Sequence, residues 1–374
     1  MDAPRVDNRT DFAVALPRLY ARDGERQVVI VKSTWLLEPG APALSLATEA
    51  ERRPVRYADE PWGDPAESSP RYPADAEAAE KTGTDVVVVA DAWAPMRRDG
   101  SRPPVAQFDA EARVGALRSM VRVHGPRVFV GGRGWGVTTA RPTTRVPLRW
   151  EFAFGGRDTT DLAQVVEEPR NPYGRGIVRK PEARTHQPAP QIERPDTPLG
   201  LVGVTPAPAG MGVVGRTMRP RRDHLGTYDD AWLETWAPFP PEDRDPRFAQ
   251  VAPPELHAEI PLRGGEPVVL ARLSPYADVL RCQLPTVATR VEVSVKGRAV
   301  VRTSPPIDTV IVDSYPWADE ALAAAGRTEA PWLVVEVVQR TSVPAARRTG
   351  DVAVRIDEVG QRLMAEVAGP RGAA

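Results

Sequence analysis

The chain has 374 residues, and its 49 basic and 50 acidic side chains leave a formal charge of −1 at pH 7. A chain of this length buries a sizeable core, in one to three domains. Its balanced charge argues against a general polyanion-binding protein, because such proteins depend on a basic surface. Its 41 prolines are roughly twice the usual share, which argues against an architecture of long helices.

The cellular compartment is indicated by the cysteine content and by the lack of apolar segments. A single cysteine, Cys282, excludes a disulfide within the chain. The first residues lack the basic start and apolar core of a signal peptide, and the longest apolar runs, such as Val28–Val31, have only the length of strands. We therefore expect a cytoplasmic protein that does not enter a membrane.

Runs of β-branched and aromatic residues between turn residues predict mostly buried strands in the first third of the chain. These runs are Val28–Leu37, Asp85–Trp93, Gln107–Leu117 and Ser119–Val123. Residues 50–80 are charged and rich in proline, which predicts a loop. The glycine cluster at 131–136 predicts a hairpin or a bulge, since it lacks the spacing and the helix of a dinucleotide site.

The clearest alternation of apolar and polar residues lies between residues 145 and 154. Apolar positions alternate there with charged or small ones: Val146, Leu148, Trp150, Phe152 and Phe154 against Arg145, Pro147, Arg149, Glu151 and Ala153. A period of two predicts one strand with its aromatic side chains on one face, ending at Gly155-Gly156. The charged face fits either a ladder of ion pairs or the rim of a partner site.

Periodicity is lost between residues 157 and 265, where only Tyr228–Trp236 and Arg244–Gln250 have weak helical patterns. We expect an ordered but irregular region, because a structureless loop of this length is unusual in a compact domain. The aromatic residues that would hold it are Tyr173, Tyr228, Trp232, Trp236, Phe239 and Phe248. They fit two interpretations, a set of core side chains or an exposed anchor for a protein partner.

Regular patterns return after residue 265. The predicted strands are Pro267–Leu273, Asp278–Leu284, Val287–Val295, Ala299–Arg302, Ile307–Val312, Trp332–Val338 and Asp351–Ile356, and the predicted helices are Trp317–Ala325 and Gln361–Val367. The fold class predicted is mainly β, an irregular antiparallel sandwich-like or barrel-like assembly with long Pro/Gly-rich loops and few short helices. We expect residues 1–285 to form the core domain and residues 286–374 a smaller β-rich section packed on it.

Several short motifs follow one another in the order found in one bacterial family. The motifs are K-T-G-T-D-V-V-V-V-A-D-A-W-A-P at 81–95, R-V-P-L-R-W-E-F-A-F-G-G at 145–156, N-P-Y-G-R-G at 171–176, P-A-G-M-G at 208–212, Arg219-Pro220, G-T-Y-D-D-A-W at 226–232, and P-P-E-L at 253–256 with L-R-G-G-E at 262–266. Across residues 10–285 the chain resembles the domain of unknown function 2169, whose members accompany type VI secretion genes.

The resemblance implies a non-enzymatic adaptor or chaperone that binds a secreted effector and helps to load it onto the secretion spike. The partners would be the effector and a spike or tip protein, with no nucleic acid and no membrane. The residues expected to contact a partner, or otherwise to hold the loops in place, are Tyr173, Arg175, Tyr228 and Trp232. Further motif residues would have structural roles: Asp85, Arg145, Pro147, Arg149, Glu151, Phe154, Gly155, Gly156, Asn171, Pro172, Gly174, Gly176, Gly226 and Asp229.

The sequence contains no signature of catalysis or of cofactor binding. Its four histidines are far apart, Cys282 has no nucleophile motif around it, and no Walker lysine is present. We therefore expect no catalytic residue, no cofactor and no metal. Two alternatives stay open: an all-β enzyme that acts on glycans or cell-wall polymers through a carboxylate pair, and a structural component of a contractile injection particle.

Overall fold

The computed structural model describes residues 4–359 except 22–23, 132–134, 201–204, 316–321, 324, 328 and 347–348. The chain is mainly β, with 38% strand and 9% helix, and none of the sheets in the described part closes into a barrel. The predicted fold class is therefore confirmed. None of the described helices has both the length and the apolar character that crossing a membrane requires.

A central sheet of eight described strands organises the molecule. Six of them follow the order His257–Ala258, Thr84–Val89, Ile307–Asp313, Leu333–Pro344, Gly24–Leu37 and Ala13–Ala15, while Arg18–Ala21 and Ser45–Leu46 also pair with Gly24–Leu37. Neighbouring strands are antiparallel except Thr84–Val89 and Ile307–Asp313, which are parallel. Both strands of the parallel pair are buried along their whole length.

The central sheet joins the two sections that the sequence analysis separates at residue 285. Ile307–Asp313 and Leu333–Pro344 come from the later section, yet they lie between Thr84–Val89 and Gly24–Leu37. Their valine-rich sequences place buried side chains on both faces, so these strands are stable only where both faces are covered. The middle of the sheet provides that environment.

Two further sheets and four two-stranded pairs complete the β structure of the described residues. The five-stranded sheet has the order Ile192–Glu193, Leu117–His124, Gln107–Val114, Pro267–Ala271 and Val279–Gln283, and the four-stranded sheet has the order Arg5–Asn8, Val352–Glu358, Thr289–Val295 and Arg298–Thr303. The pairs are Arg145–Pro147 with Asp91–Trp93, Phe154–Gly155 with Arg175–Gly176, Arg157–Asp158 with Val166–Glu167, and Glu60–Pro61 with Pro70–Tyr72.

Helical structure in the described residues consists of short segments. The α-helix Asp230–Thr235 lies within the predicted segment Tyr228–Trp236. Single 3-10 turns occur at Trp150–Phe152, Leu162–Gln164, Pro181–Arg184, Arg221–His224, Pro246–Ala249, Pro254–Leu256 and Thr349–Asp351. Most of the predicted helix Trp317–Ala325 and all of Gln361–Val367 lie outside the described residues.

The two faces of the central sheet are covered by different kinds of structure. Val86 and Val88 belong to the largest hydrophobic cluster, which also contains side chains of the five-stranded and four-stranded sheets. On the other face, Val87 packs with Tyr72 and Val213, which come from the proline-rich residues 50–80 and from the irregular region. The irregular region is thus ordered because it seals one face of the sheet.

The prediction of one strand across residues 145–154 is wrong. The strand Arg145–Pro147 ends early, the 3-10 turn Trp150–Phe152 follows, and Phe154–Gly155 forms a separate short strand. Phe152 is only half-buried, whereas Trp150 is buried. Tertiary hydrogen bonds to the backbone of this segment override the alternating pattern, as described below.

A cluster of buried charges fastens residues 50–76 to the central sheet. Glu336 lies in the middle strand Leu333–Pro344 and is 0% exposed. Its carboxylate oxygens lie 2.5 Å from the Lys32 ammonium, 2.7 Å from the Arg53 guanidinium and 2.7 Å from the Arg56 guanidinium. Burial alone would raise the pKa of Glu336, but the three cations hold it well below its usual value.

Two more buried carboxylates complete this cluster. Asp75 lies 2.8 Å from the Lys32 ammonium, and Asp313 lies 2.7 Å from the Arg53 guanidinium. The Tyr72 hydroxyl also donates to Asp313, at 2.5 Å. Three cations therefore face three carboxylates in the interior, so the buried charge is balanced.

We predict that Glu336→Gln destabilises the fold by about 3–5 kcal/mol at pH 7, because it leaves three buried cations with too few carboxylates. The pKa of Glu336 is held below 4.5 in the folded state, so its contribution is present above that pH and is lost as the pH falls towards the folded pKa. The free energy of unfolding in urea, measured for the variant and for the unchanged protein, should therefore differ less and less as the pH falls from 7 to 3.

The matched control for that prediction is Glu292→Gln, which removes one carboxylate from an exposed ion pair with Arg302. Its effect should stay below about 1 kcal/mol. A loss for Glu336→Gln no larger than that of the control would contradict the role of the buried cluster.

Candidate functional site

The motif residues between Phe154 and Gly176 form one tightly packed double turn, which we call the Asn171 turn. Phe154–Gly155 pairs in parallel with Arg175–Gly176. The amide nitrogen of the fully buried Asn171 donates to the carbonyl oxygens of Trp150, at 2.8 Å, and Phe154, at 2.9 Å. Because these two carbonyl oxygens bond to the Asn171 side chain, they do not pair with a neighbouring strand. The single strand predicted from the alternating pattern therefore does not form here.

Glycine is required at the two positions where the Asn171 turn closes on itself. Gly155 has φ 145° and Gly156 has φ 112°, conformations that other residues avoid. A Cβ on Gly155 would collide with the carbonyl oxygen of Asn171, and one on Gly156 would lie 2.7 Å from the carbonyl oxygen of Gly174. Pro172 lies half-buried in the same turn. The geometry of the turn favours the structural role expected for these motif residues.

Tyr173 and Arg175 help to hold this turn in place. Tyr173 packs against the cluster of Trp150, Val214 and Met218, and its hydroxyl lies 3.1 Å from that of Thr217. The Arg175 guanidinium lies over the Phe152 ring, 4.5 Å from its centroid, and burial lowers the pKa of Arg175. Of the two interpretations for these residues, the geometry favours loop support over partner contact.

Asp85 connects the central sheet to the motif at residues 253–256. It is fully buried and lies 2.5 Å from the Lys81 ammonium. It also accepts hydrogen bonds from the Val251 amide, at 2.7 Å, and from the His257 ring, at 2.8 Å. Burial would raise the pKa of Asp85, but Lys81 and the hydrogen bonds together lower it.

Of the two interpretations of the charged residues at 145–151, the ion-pair ladder is not formed among Arg145, Arg149 and Glu151. Arg145 pairs with Asp91 at 2.6 Å, while Glu151 accepts from the Ser69 amide at 2.7 Å. Arg149 instead stacks on the Trp62 ring, 4.0 Å from its centroid. The early end of the strand at Pro147 turns these side chains towards different neighbours.

An exposed apolar surface is built around the α-helix. Its side chains are Tyr20, Tyr228, Trp232, Leu233, Trp236 and Phe239, and all except the half-buried Trp232 are between 41% and 62% exposed. Tyr228 meets Trp232 edge to face with ring centroids 4.6 Å apart, and Tyr20 meets Phe239 in the same way at 4.8 Å. The Trp232 indole donates to the Phe239 carbonyl oxygen at 2.8 Å, which joins the two pairs.

Local capping fixes the backbone beneath this surface. Asp229 is the N-cap of the helix, and its carboxylate accepts from the Trp232 amide at 2.8 Å. Gly226, with φ 87°, allows the approach of Arg244 and Asp243, and Asp243 accepts from both the amide and the hydroxyl of Thr227. The exposed side chains are thus presented by an ordered loop.

Unpaired carboxylates surround the exposed apolar surface. Asp230, Glu234 and Glu242 are exposed, and within the described ranges none of them has an ion pair or a hydrogen bond. Large apolar patches edged by polar residues mark interaction sites on soluble proteins. The arrangement is suited to a partner with apolar and basic side chains.

The sequence identified Tyr228, Trp232, Trp236 and Phe239 as candidates for this surface but missed Tyr20 and Leu233. Leu233 stands beside Trp232 in a six-residue helix, and no pattern in the sequence signals its exposure. Tyr20 lies on a strand far away in sequence. Its contact with Phe239 arises only from the tertiary fold.

A cleft of about 870 Å³ lies between the Asn171 turn and the motifs at 208–212, 219–220 and 253–256. Trp150, Val214 and Met218 give it an apolar wall. Its rim carries three ion pairs: Arg170 with Glu168 at 2.7 Å, Arg219 with Asp223 at 2.9 Å, and Arg194 with Glu255 at 3.5 Å. The rim charges are balanced, so binding there would depend on apolar contacts.

Few groups in the described residues have the properties of a nucleophile or an acid–base catalyst. Burial raises the pKa of the Cys282 thiol to about 11, which leaves it protonated at neutral pH. Burial also raises the pKa of Asp91 to about 6, against the influence of Arg145, Arg149 and Arg71. Within the described residues, no three His, Cys, Asp or Glu side chains are placed to hold a metal ion.

Comparison with known proteins identifies one family. The family model described as "Uncharacterized protein conserved in bacteria (DUF2169)" matches residues 22–320. The match spans more than half of the chain, so the chain belongs to this family, and it continues past residue 285 into the central strand Ile307–Asp313. A search of curated proteins and a search of solved structures each gave no match.

We predict that Asn171→Asp destabilises the fold by about 1–3 kcal/mol, because it removes the buried donor while keeping the size of the side chain. Urea unfolding measures this loss. Asn8→Asp is the matched control, since the exposed Asn8 amide also donates to one carbonyl, that of Phe12, at 3.0 Å. Equal effects of the two substitutions would show that the Asn171 turn does not depend on its buried bonds.

We predict that Asp91→Asn gains stability relative to the unchanged protein as the pH rises from 4 to 7. The pKa of Asp91 is raised from 3.8 to about 6 on folding, so the folded state holds its proton more tightly and loses stability as the pH rises through this window. The shift amounts to at most about 3 kcal/mol.

The free energy of unfolding in urea, measured at several pH values, checks this prediction. Asp11→Asn, at a carboxylate whose side chain is 81% exposed, serves as the control and should show a flat difference. The opposite slope for Asp91→Asn would mean that the three arginines outweigh burial at this carboxyl.

Proposed function

We propose that this member of the DUF2169 family is a non-enzymatic adaptor or chaperone of type VI secretion. It would bind a secreted effector in the cytoplasm and help to place it on the secretion spike. The resemblance of its motifs to proteins that accompany type VI secretion genes supports the system, and the exposed apolar surface supports the binding role. Its partners would be proteins, with no role for nucleic acid or a membrane.

The exposed apolar surface is the observation that carries the proposal. Aromatic side chains lose little conformational entropy on binding and bury much area, so they dominate the energy of many protein interfaces. Here four aromatic rings and Leu233 stand in solvent on an ordered loop. Exposing so much apolar area is unfavourable in a protein that never covers it.

The chemistry of the surface also describes the effector segment that it would bind. Asp230, Glu234 and Glu242 surround the apolar side chains and are free to pair with cations. Lysine or arginine in the partner would approach these carboxylates, and arginine would also stack on the rings of Tyr228 and Trp236. The segment expected is therefore apolar and basic.

The geometry divides the four residues expected to contact a partner. Tyr228 and Trp232 belong to the exposed apolar surface, whereas Tyr173 and Arg175 support the Asn171 turn. We therefore assign effector binding to the loop around the α-helix and a supporting role to the Asn171 turn.

The test is an affinity pull-down of the tagged protein from its own host, with identification by mass spectrometry. We expect recovery of a spike or tip protein together with a toxin-like effector. The double variant Leu233→Ala/Trp236→Ala should lose most of the effector, because it removes two exposed contacts that make no side-chain hydrogen bond in the described residues.

The matched control is Leu162→Ala/Ile260→Ala, which removes two apolar side chains that are 82% and 79% exposed elsewhere. This control should retain the effector. Recovery of the protein alone from cells that express the secretion genes would refute the adaptor function. Equal loss of effector in both double variants would refute the assignment of the surface.

A further inference from the structure

A second group of unusual side chains lies where the two parallel strands of the central sheet end. Thr84–Val89 and Ile307–Asp313 run in the same direction, and Asp91 and Tyr315 follow their carboxyl ends. The pairing of Asp91–Trp93 with Arg145–Pro147 brings Arg145 to the same edge. Side chains that follow parallel strands converge at one edge of a sheet, which is a common place for binding sites.

Three arginines meet three aromatic rings at this edge, and we call them the arginine–aromatic cluster. Arg71 lies 4.9 Å from the Trp62 centroid and 5.5 Å from that of Tyr315. The guanidinium carbon of Arg149 lies 4.0 Å from the Trp62 ring centroid. That of Arg145 lies 5.7 Å from the Trp93 centroid and 5.8 Å from the Tyr315 centroid. The shared rings place the three guanidinium groups around one area of the surface.

The cluster carries excess positive charge. Asp91 pairs with Arg145 at 2.6 Å and is the carboxylate on which Arg145, Arg149 and Arg71 all act. The nearby Asp313 is already paired with Arg53 in the buried, balanced cluster. Arg71 and Arg149 have no ion pair with any carboxylate in the described residues.

The hydrogen-bonding groups of two arginines are largely unused. In the part of the chain that the structure describes, the side chain of Arg149 has no hydrogen bond and no ion pair, and its Nε is buried. Arg71 donates only to the carbonyl oxygen of Tyr315, at 3.3 Å. The guanidinium of Arg149 lies over the Trp62 ring, 4.0 Å from its centroid, and its terminal N–H groups have no acceptor among the described residues.

We propose that Arg71, Arg145 and Arg149 form a binding site for the carboxylate side chains of an acidic protein segment. The planar carboxylate matches the forked N–H donors of a fixed guanidinium and accepts two parallel bonds. The partly exposed rings of Trp62, Trp93 and Tyr315 add apolar area that a free inorganic anion would not use. The ligand therefore combines carboxylates with the apolar parts of a polypeptide.

This site differs in chemistry from the exposed apolar surface, which is surrounded by carboxylates. It does not rest on the proposed role in secretion, because a short acidic peptide is enough to test it. If the acidic peptide does not bind, the outcome of the effector pull-down is unaffected. If the pull-down recovers no effector, the outcome of the peptide test is unaffected.

The experiment measures the fluorescence anisotropy of a labelled hexaglutamate peptide with the full-length protein at about 0.15 M salt, where long-range attraction is screened. We expect saturable binding, and none for labelled hexaglutamine. Arg71→Gln/Arg149→Gln should weaken binding at least about tenfold, because charge-assisted bidentate bonds are lost. Arg149→Lys keeps the charge but not the planar fork, and it should weaken binding to a smaller extent.

The control Arg302→Gln/Arg355→Gln removes the same charge from two exposed arginines of the four-stranded sheet and should leave the affinity nearly unchanged. Equal weakening in both double variants would overturn the site, as would the absence of hexaglutamate binding. Sodium pyrophosphate serves as the second probe. Tight binding of pyrophosphate without binding of the peptide would overturn the assignment to a protein carboxylate.

Folding of each variant is checked by thermal unfolding monitored by circular dichroism. The Arg149→Lys variant preserves a cation beside Trp62, so it keeps the test valid if the double variant unfolds. Binding to Arg149→Lys as tight as to the unchanged protein would contradict the bidentate geometry.

Discussion

The burial of Glu336 in the middle strand of the central sheet is the constraint on which much of this structure depends. A carboxylate at that depth is stable only with cations beside it, and two of its three cations, Arg53 and Arg56, come from a loop. The loop must therefore fold back over the sheet before the sheet is stable. Residues 50–76, which the sequence marks as charged and rich in proline, become part of the interior for this reason.

The same constraint positions one of the two candidate surfaces. Once Arg53 and Arg56 are fixed, the loop that follows places Trp62 and Arg71 at the ends of the parallel strands, beside Arg149. The Asn171 turn acts in a similar way on the other motif residues, since one buried amide holds two carbonyl groups of a segment that would otherwise continue as a strand. Buried polar groups, together with apolar packing on the central sheet, therefore decide where the irregular parts of this chain lie.

An element of this fold could be predicted where the interactions that form it are visible in its own sequence. The four long strands of the central sheet were predictable, because β-branched runs such as Val28–Leu37 signal a buried strand in their own sequence. Its four short strands were not predicted: Ala13–Ala15, Arg18–Ala21, Ser45–Leu46 and His257–Ala258. The strand expected at 145–154 was wrong, because the hydrogen bonds of Asn171 come from residues that the local pattern does not contain. Tyr228 was a candidate for a surface contact because of its motif. The contact of Arg149 with Trp62 was not predictable, because Trp62 is placed by a loop that is distant from Arg149 in the sequence.

The two candidate surfaces have opposite chemistry, and this bears on how an adaptor works. One presents apolar side chains among the free carboxylates of Asp230, Glu234 and Glu242. The other presents the guanidinium groups of Arg71 and Arg149, neither of which has an ion pair in the described residues. A segment that fits one surface is repelled by the other, since like charges brought together without partners are unfavourable. Two partners could therefore bind one molecule without competing, each at its own surface. The proposed adaptor, which would hold an effector while it docks on a spike, would use this separation to keep both partners bound.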